Sequence, residues 1–219
     1  MQKDEFISLV IKRLKIKYGN EMHTSLNHET PWQLLIATIL SAQSQDIQVN
    51  KITGNLFGNF KSVKAFAAIR PSELYPYVRT LGLYRSKSKH IVDACRSLLK
   101  EFNGVIPKTI AELTRMPGVG RKTANVVLSN AFGINEGIAI DTHCVKVANR
   151  LGLVRTKDPK KVEIGVMEST PRKDWGNVSL LFIALGRDVC TARVTHCERC
   201  VLNDICPSSY VKSKRGASA

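Results

Sequence analysis

The sequence has 219 residues, of which 43% are hydrophobic and 23% are charged, enough for a full core in one domain or in two small interleaved ones. Its longest strongly apolar run, Leu34 to Leu40, is far too short to cross a membrane, which argues against a membrane protein. The 33 Lys and Arg exceed the 18 Asp and Glu, and the net charge of +15 indicates a polyanionic partner, most commonly nucleic acid, with a merely basic surface as the alternative.

The chain begins with a segment in which charged and apolar residues alternate with helical spacing, MQKDEFISLVIKRLKIKYG. This pattern predicts a helix from Asp4 with Gly19 as its stop. The segment lacks the uninterrupted apolar stretch of a secretory signal peptide. We therefore expect a reducing compartment, the cytoplasm or nucleoid if the source is prokaryotic, and six cysteines that form no disulfides.

Further helices are indicated along the chain. Thr30 and Pro31 open the apolar stretch TPWQLLIATILSAQ, which is predicted to be a central, buried helix. A second helix, SKSKHIVDACRSLLKEFNG, ends at Gly104, and a later one carries an apolar stripe before Gly186. No stretch shows the sustained period-two alternation of a strand. The sequence therefore predicts an all-α fold.

Between residues 109 and 132 the pattern is helix, tight turn, helix: TIAELTRM, PGVG and RKTANVVLSNAF. Thr109 and Glu112 are typical of a capping box at the start of the first helix, and Gly133 is a natural stop for the second. The amides of the turn and of the following helix start can bind a phosphate without sequence preference. The pattern predicts a helix-hairpin-helix that binds the DNA backbone, with a purely structural turn as the alternative.

Lys122 lies in the first turn of the second helix of this hairpin, directly after Arg121. The partial positive charge of a helix N-terminus and a neighbouring cation both disfavour an ammonium there. Such surroundings favour a neutral, nucleophilic amine. The alternative is a lysine that only contacts a phosphate.

Asp141 follows the hairpin at a distance that brings it within reach of Lys122. The second helix rises about 18 Å, and residues 134–140 can span about 23 Å when extended. The chain can therefore return along the helix and place Asp141 beside its start. Asp141 also precedes THCVKVANRLGL and is predicted to be its N-cap. A carboxylate beside a reactive amine can stabilise positive charge that develops on a sugar.

The cysteines fall into two groups. Two are isolated on apolar helical patterns and are predicted to be buried thiols. Four lie in one short C-x6-C-x2-C-x5-C loop and could surround either zinc or an iron–sulfur cluster. Zinc sites of four thiolates more often use two C-x2-C pairs, so the single pair favours the cluster. The buried pair is Cys95 and Cys144, and the loop contains Cys190, Cys197, Cys200 and Cys206.

These motifs, taken together, resemble the endonuclease III family of the helix-hairpin-helix (HhH-GPD) DNA glycosylase superfamily. The resemblance is carried by MPGVGRKTANVV, then IDTHCVKVANRLGL with its aspartate nineteen residues after the lysine, then the cysteine loop. The stretches LLIATILSAQSQD and LGLYRSKSKHI resemble segments of that family in the same order. The resemblance covers roughly residues 5 to 206.

The resemblance implies a two-domain architecture. It predicts a six-helix barrel over residues 24–135, with the helix-hairpin-helix at about 109–132. Residues 1–23 and 136–219 would form a second domain with a [4Fe–4S] cluster loop at 190–206. Duplex DNA would bind in a cleft between the two interleaved domains.

The resemblance also implies roles for individual residues. Lys122 corresponds to the Schiff-base nucleophile, Asp141 to the essential carboxylate, and the four loop cysteines to the cluster ligands. Further positions are implied to contact DNA: Gly118, Val119, Gly120, Arg121, Gln43, Leu83, His143 and Arg193. Gln43 and Leu83 would fill the gap left by an extruded nucleotide, and His143 would help to position Asp141 or a water. Taken singly, these three could instead be an exposed helix position, a core leucine and a capping-turn histidine.

The implied activity is that of a monomeric, bifunctional DNA glycosylase and abasic-site lyase acting on oxidised pyrimidines in damaged duplex DNA. One departure is the loop TARVTH, which is less basic than is typical of the family, so that its grip on phosphate is expected to be weaker. Lys122 and the chain end at residue 219 argue against the adenine-specific branch, which lacks the lysine and carries a further domain.

Three alternatives stay open. A mismatch-specific thymine or uracil glycosylase would share the scaffold, but such relatives usually lack the lysine. A non-catalytic, structure-specific DNA-binding protein would use the hairpin alone and would not depend on Asp141. A zinc-ribbon regulator would bind zinc in place of the cluster.

Overall fold

The computed structural model describes residues 2–20 and 22–211, and across these ranges the protein is helical. The only extended pairing in the described residues is an isolated bridge between Cys190 and Thr195. The predicted all-α class is confirmed. Short 3-10 helices span Pro71–Leu74, Arg172–Asp174 and Cys197–Arg199. The α-helices are α1 Lys3–Tyr18, α2 Pro31–Ser41, α3 Asp46–Asn59, α4 Val63–Ala68, α5 Tyr75–Val78, α6 Tyr84–Phe102, α7 Ile110–Leu113, α8 Arg121–Phe132, α9 Thr142–Arg150, α10 Pro159–Ser169 and α11 Trp175–Asp188.

The chain divides into two compact units. The central unit is Thr24–Glu136, and the terminal unit combines Met1–His23 with Gly137–Ala219. Each unit has its own hydrophobic core. None of the helices in the described ranges is both long enough and apolar enough to span a membrane.

Helix α2 lies at the centre of the central unit. It packs against α3, α6 and α8, and every residue from Gln33 to Leu40 is buried. The predicted cap is present, since the Thr30 side chain accepts a hydrogen bond from the Gln33 amide, and Pro31 occupies the first helical position. Trp32 completes the core edge-on to Phe57, with 5.6 Å between ring centroids. The prediction of a buried central helix is confirmed.

The terminal unit is built around α11. This helix packs against α1 and α9, and Val178, Leu181, Phe182 and Leu185 form its buried stripe. Helix α1 ends at Tyr18 before Gly19, as predicted. Helix α11 continues through Gly186 and ends at Asp188.

The physical reason for the glycine inside α11 is close packing. A Cβ added at Gly186 would lie 2.9 Å from the Cβ of His143 on α9. Gly186 therefore lets α9 approach the backbone of α11, and it has no role in ending the helix. The sequence pattern identified the residue but not the reason for it.

Candidate functional site

The hairpin predicted at residues 109–132 is formed by α7 and α8. The Thr109 hydroxyl accepts from the Glu112 amide at 3.2 Å, which caps α7 as predicted. The Glu112 carboxylate accepts from the Thr109 hydroxyl (2.7 Å) and not from the Thr109 amide, so the second bond of the predicted capping box is not formed. Helix α8 begins at Arg121 and ends at Phe132, with Gly133 in the left-handed conformation, as the sequence predicted.

Two buried side chains anchor the turn between these helices to the core of the central unit. Met116 and Val119 are 2% and 5% exposed. The Val119 amide donates to the Met116 carbonyl oxygen, at 3.1 Å, which closes the turn. The turn is thus held in shape by its own apolar contacts and its own backbone hydrogen bond.

Glycine stands at the two positions of PGVG for different physical reasons. Gly118 has φ +76°, and a Cβ there would lie 2.5 Å from the Cβ of His90, so the fold itself requires glycine. Gly120 is the N-cap of α8 with φ −88°, and a Cβ there would meet no atom within 4 Å. Nothing in the fold requires glycine at this position. An open backbone directly before a helix N-terminus suits the close approach of an anion.

Lys122 lies immediately beyond this opening. Arg121 and Lys122 are both exposed at the start of α8, so the Lys122 amine is accessible to a ligand that reaches the turn. The amides of the first helical turn have no intrahelical acceptor and are oriented along the helix axis toward the same opening. The turn therefore combines backbone donors with a primary amine.

Gln43 and Leu83 share an unusual backbone. Besides Asn103, they are the only non-glycine residues with positive φ in the described ranges, at 54° and 58°. Asn103 caps the C-terminal end of α6 and is of a type that tolerates this conformation. For a residue with a long or branched side chain, the left-handed backbone conformation costs roughly 1–2 kcal/mol of conformational free energy. Such backbone strain clusters at functional sites.

The surroundings of Gln43 and Leu83 exclude the purely structural roles that were the alternatives for them. Gln43 is exposed in the turn after α2, which ends at Ser41, so it is not a helix position. Leu83 is the N-cap of α6 and is 59% exposed, so it is not a core leucine. Both side chains are presented to solvent by turns of the central unit.

Asp141 belongs to the terminal unit, where it is the N-cap of α9, as predicted. Its Oδ1 accepts from the Cys144 amide at 2.8 Å, and the residue is half-buried. The segment before Asp141 is held by α11, since the Ser179 hydroxyl donates to the Ala139 carbonyl oxygen at 2.6 Å. One carboxylate oxygen is thus committed to the cap, and the backbone that carries the group is held by α11.

His143 is half-buried in the first turn of α9. Its ring lies against α11 at Gly186, with Nδ1 2.9 Å from the position of an added Cβ. This packing fixes the direction of the ring. A catalytic or DNA-contacting role for His143 stays a prediction.

The four loop cysteines come together at one cavity of about 190 Å³ in the terminal unit. Ser209 also lines this cavity, and its hydroxyl is buried without a hydrogen-bond partner in the described residues. Within the same residues, no group of three or more His, Cys, Asp or Glu converges closely enough to hold a metal ion. The cavity is many times larger than the roughly 10–15 Å³ that a water molecule needs.

This donor set fits a multi-atom iron–sulfur cluster. Four cysteines that line one space would supply the soft sulfur ligands that such a cluster takes. The Ser209 hydroxyl could donate to a ligand or cluster sulfur there. The residues that would hold the cluster are Cys190, Cys197, Cys200 and Cys206.

Sequence reasoning missed one residue at this cavity, Arg150. Its guanidinium donates to the carbonyl oxygen of Cys190 (2.9 Å), to the Cys190 sulfur (3.2 Å) and to the Thr191 carbonyl oxygen (2.8 Å). The sequence signal for Arg150 was its place in the last turn of the helix that Asp141 caps. A cation is favoured there by the helix dipole alone, so its presence did not indicate a contact with the cysteine loop.

Arg193 is exposed on the loop that follows Cys190. The bridge between Cys190 and Thr195 and the bond from the His196 amide to the Val189 carbonyl oxygen (2.8 Å) close this loop at its base.

The two cysteines outside the loop, Cys95 and Cys144, are buried thiols, as predicted. Burial raises the pKa of Cys95 to about 12, which leaves it unreactive at neutral pH.

Comparison with known proteins agrees with this arrangement. The family described as HhH-GPD superfamily base excision DNA repair protein matches residues 36–172. Endonuclease III of Synechocystis sp. is 45% identical over 84% of each chain, and that of Escherichia coli K12 is 40% identical over 84% of this chain and 86% of its own. An endonuclease III trapped as a covalent intermediate with DNA superposes with a TM-score of 0.89 at 36% identity, covering 97% of this chain and all of that one. The chain therefore belongs to the HhH-GPD superfamily of base excision DNA repair proteins.

Proposed function

We propose that this protein is a bifunctional DNA glycosylase and abasic-site lyase that removes oxidised pyrimidines from duplex DNA. The observation that carries the proposal is the exposed amine of Lys122 beside the open backbone of Gly120. A primary amine at a backbone phosphate site is the group that a Schiff-base lyase needs. The likeness to an endonuclease III in covalent complex with DNA supports the same reading.

The chemistry begins with extrusion of the damaged nucleotide, because its sugar C1′ is inaccessible while the base is stacked. The neutral amine of Lys122 attacks C1′, and the bond from C1′ to the base breaks with its electron pair leaving on the base. The bond from C1′ to the ring oxygen O4′ then breaks as the imine forms, and O4′ takes a proton that the amine nitrogen loses, while the released base takes up a proton from solvent. Loss of a C2′ proton then expels the 3′ phosphate, which nicks the strand 3′ to the lesion.

Asp141 supplies the electrostatic part of this reaction. Positive charge develops on the sugar as the base departs, and a fixed carboxylate stabilises it. The cap to Cys144 and the bond from Ser179 to Ala139 fix the position of this carboxylate, so that little reorganisation is needed during the reaction.

The hairpin binds the DNA backbone. Two turns of the central unit fill the space that the extruded nucleotide leaves in the duplex. The amides of Gly118 and Gly120 and the side chain of Arg121 bind phosphate, while Val119 anchors the turn that presents them. Gln43 and Leu83, held exposed in strained turns, enter the space that the extruded nucleotide leaves. Filling that space offsets part of the few kcal/mol needed to unstack and unpair a base.

A [4Fe–4S] cluster held by Cys190, Cys197, Cys200 and Cys206 completes the terminal unit. When bound, it supplies a covalent cross-link among four points of one short loop. It would thereby brace the loop after Cys190, whose exposed Arg193 would contact the phosphate backbone. None of the bond-making steps above requires it.

Borohydride trapping tests the nucleophile. Wild-type enzyme should form a covalent adduct with DNA that contains an oxidised pyrimidine, because reduction fixes the imine. Lys122→Ala should lose both the adduct and the nick and should still bind the duplex. Lys108→Ala, a lysine of the central unit that stacks on Phe132, is the matched control and should keep both activities. Trapping at the wild-type rate in Lys122→Ala would overturn the assignment.

Asp141→Asn tests the carboxylate. Asparagine also caps helices, so the variant should fold with a nearly unchanged melting temperature. Base excision should fall at least about a hundredfold, the size typical of losing one preorganised electrostatic group. The measurement is single-turnover base release. Excision at the wild-type rate would mean that Asp141 is a helix cap and nothing more.

A further inference from the structure

Lys87 links the two strained turns of the central unit. Its backbone amide donates to the carbonyl oxygen of Leu83 at 3.0 Å, in the first turn of α6. Its ammonium donates to the hydroxyl of Ser44 at 2.7 Å, in the turn that follows α2. Ser44 is the residue directly after Gln43. One residue therefore hydrogen-bonds to Leu83 itself and to the neighbour of Gln43.

The environment of this lysine is unusual. Lys87 is 3% exposed, and in the described residues its ammonium forms no ion pair with a carboxylate. Burial lowers its pKa. A buried cation with one neutral partner costs stability, and an apolar side chain of similar size would commonly be neutral or stabilising there. The contact is therefore better explained by function than by stability.

The other hydrogen bonds of the turn that contains Ser44 are local, such as that from the Ala42 amide to the Ile39 carbonyl oxygen at 3.4 Å, and in the part of the chain that the structure describes none of them reaches α6. The Ser44 amide donates to the Ser41 carbonyl oxygen at 3.0 Å, and Gln43 itself is exposed in the left-handed conformation. A charge-assisted hydrogen bond is roughly twice as strong as a neutral one. The bond from Lys87 thus ties this turn to the N-terminal end of α6.

We propose that Lys87 is a positioning residue for base extrusion, which holds the Gln43 turn and the Leu83 turn in one fixed arrangement. The inference rests on the proposed function, because it assumes that these two side chains fill the gap in the duplex. Lys87 itself touches neither the sugar nor the base. It acts through Ser44 and through the start of its own helix, so that both side chains enter the DNA without first having to be ordered.

The test is Lys87→Met, which keeps the unbranched side chain to within one atom of its length and removes its charge. We expect a melting temperature equal to or above that of the wild type. The ratio of excision at a paired lesion to cleavage at a preformed abasic site should fall about tenfold, because only the paired lesion needs full extrusion. Lys89→Met, two residues along α6, loses only an exposed ion pair with Asp93 and should leave the ratio unchanged.

Two further measurements separate positioning from general stability. Amide exchange at Ser44 should speed up in Lys87→Met, because the turn loses its tie to α6. Ser44→Ala should lower the same ratio and also lower the melting temperature, because it leaves the buried ammonium without an acceptor.

Some outcomes would overturn the proposal. An unchanged ratio in Lys87→Met, or a fall in melting temperature with both rates reduced equally, would make Lys87 a structural residue only. Absence of borohydride trapping in the wild type would instead overturn the proposed function. Exchange at Ser44 would still decide whether Lys87 holds the turn, so the two failures are distinguishable.

Discussion

The hairpin turn at residues 116–120, which directly precedes Arg121, and the cysteine loop at residues 190–206, which contains Arg193, are held differently. The hairpin turn is fixed by buried Met116 and Val119 and by close packing of Gly118. The cysteine loop surrounds a cavity of about 190 Å³. The shape of the turn is intrinsic to the polypeptide, whereas the loop has a space at its centre that four thiolates face.

The difference indicates how each region responds to change. Apolar contacts made by the chain itself persist in any condition that keeps the domain folded. A loop built around a metal group depends on that group, since the binding free energy of the group is part of the folding free energy. We therefore expect the hairpin turn to be sensitive to backbone substitutions and the cysteine loop to be sensitive to loss of its ligands.

The largest expected effect is that of Cys197→Ser. Metal analysis of anaerobically purified wild-type protein should find about four irons per chain, and the variant should lose them. DNA affinity should fall at least about tenfold because the loop with Arg193 loses its order, while the rate of base release from bound DNA should change little. One zinc and no iron in the wild type would refute the cluster. Cys95→Ala, a buried thiol outside the loop, is the control that should keep its iron.

Next in size is the contrast between two glycine substitutions. Gly118→Ala forces an alanine into a left-handed backbone against His90 and should cost about 2 kcal/mol or more. Its melting temperature should fall by roughly 4–8 °C. Gly120→Ala meets no atom of the fold and should melt like the wild type.

The same pair separates folding from binding. Gly120→Ala should weaken binding of duplex DNA about three- to tenfold, because its methyl group occupies the space that a phosphate would enter. Thermal melting and a binding titration of both variants check this contrast. Equal affinity of Gly120→Ala and wild type would show that the opening at Gly120 is not a phosphate site.

The smallest expected effect is that of Gln43→Ala, in a turn that is also held by the polypeptide alone. Excision of a paired lesion should slow several-fold more than cleavage at a preformed abasic site, whose sugar is extruded at less cost. The melting temperature should stay within a degree or so, since the side chain is exposed. Equal slowing on both substrates, or a fall of many degrees, would make Gln43 a structural residue.

Much of the fold could be predicted because its signals are local. The ends of α8 and the cap at Asp141 are set by residues within one helical turn of each boundary. Helices α3, α4, α5 and α10 were not predicted individually. Local start signals are present at two of them, since Ser62 caps α4, and Asp158 caps α10 with Pro159 at its first position. The requirement for glycine at position 186 comes from His143 of another helix, which no local pattern reports.

The candidate site divides in the same way. Gly118 and Lys122 could be identified from the motif that contains them. The left-handed, exposed conformation of Leu83 could not, because nothing in LGLYRS distinguishes it from a core leucine. Arg150 and Lys87 were also missed, since their partners are distant in sequence.

The open amides at Gly120 have a consequence for how binding would depend on electrolyte. A lysine or arginine that neutralises a phosphate releases condensed counterions, so its loss lowers the slope of log affinity against log salt by about one. Backbone N–H groups carry no net charge and release none. Contacts at Gly120 would therefore persist as ionic strength rises, while those at Arg193 would weaken. At high salt the protein should hold DNA chiefly through its neutral turn.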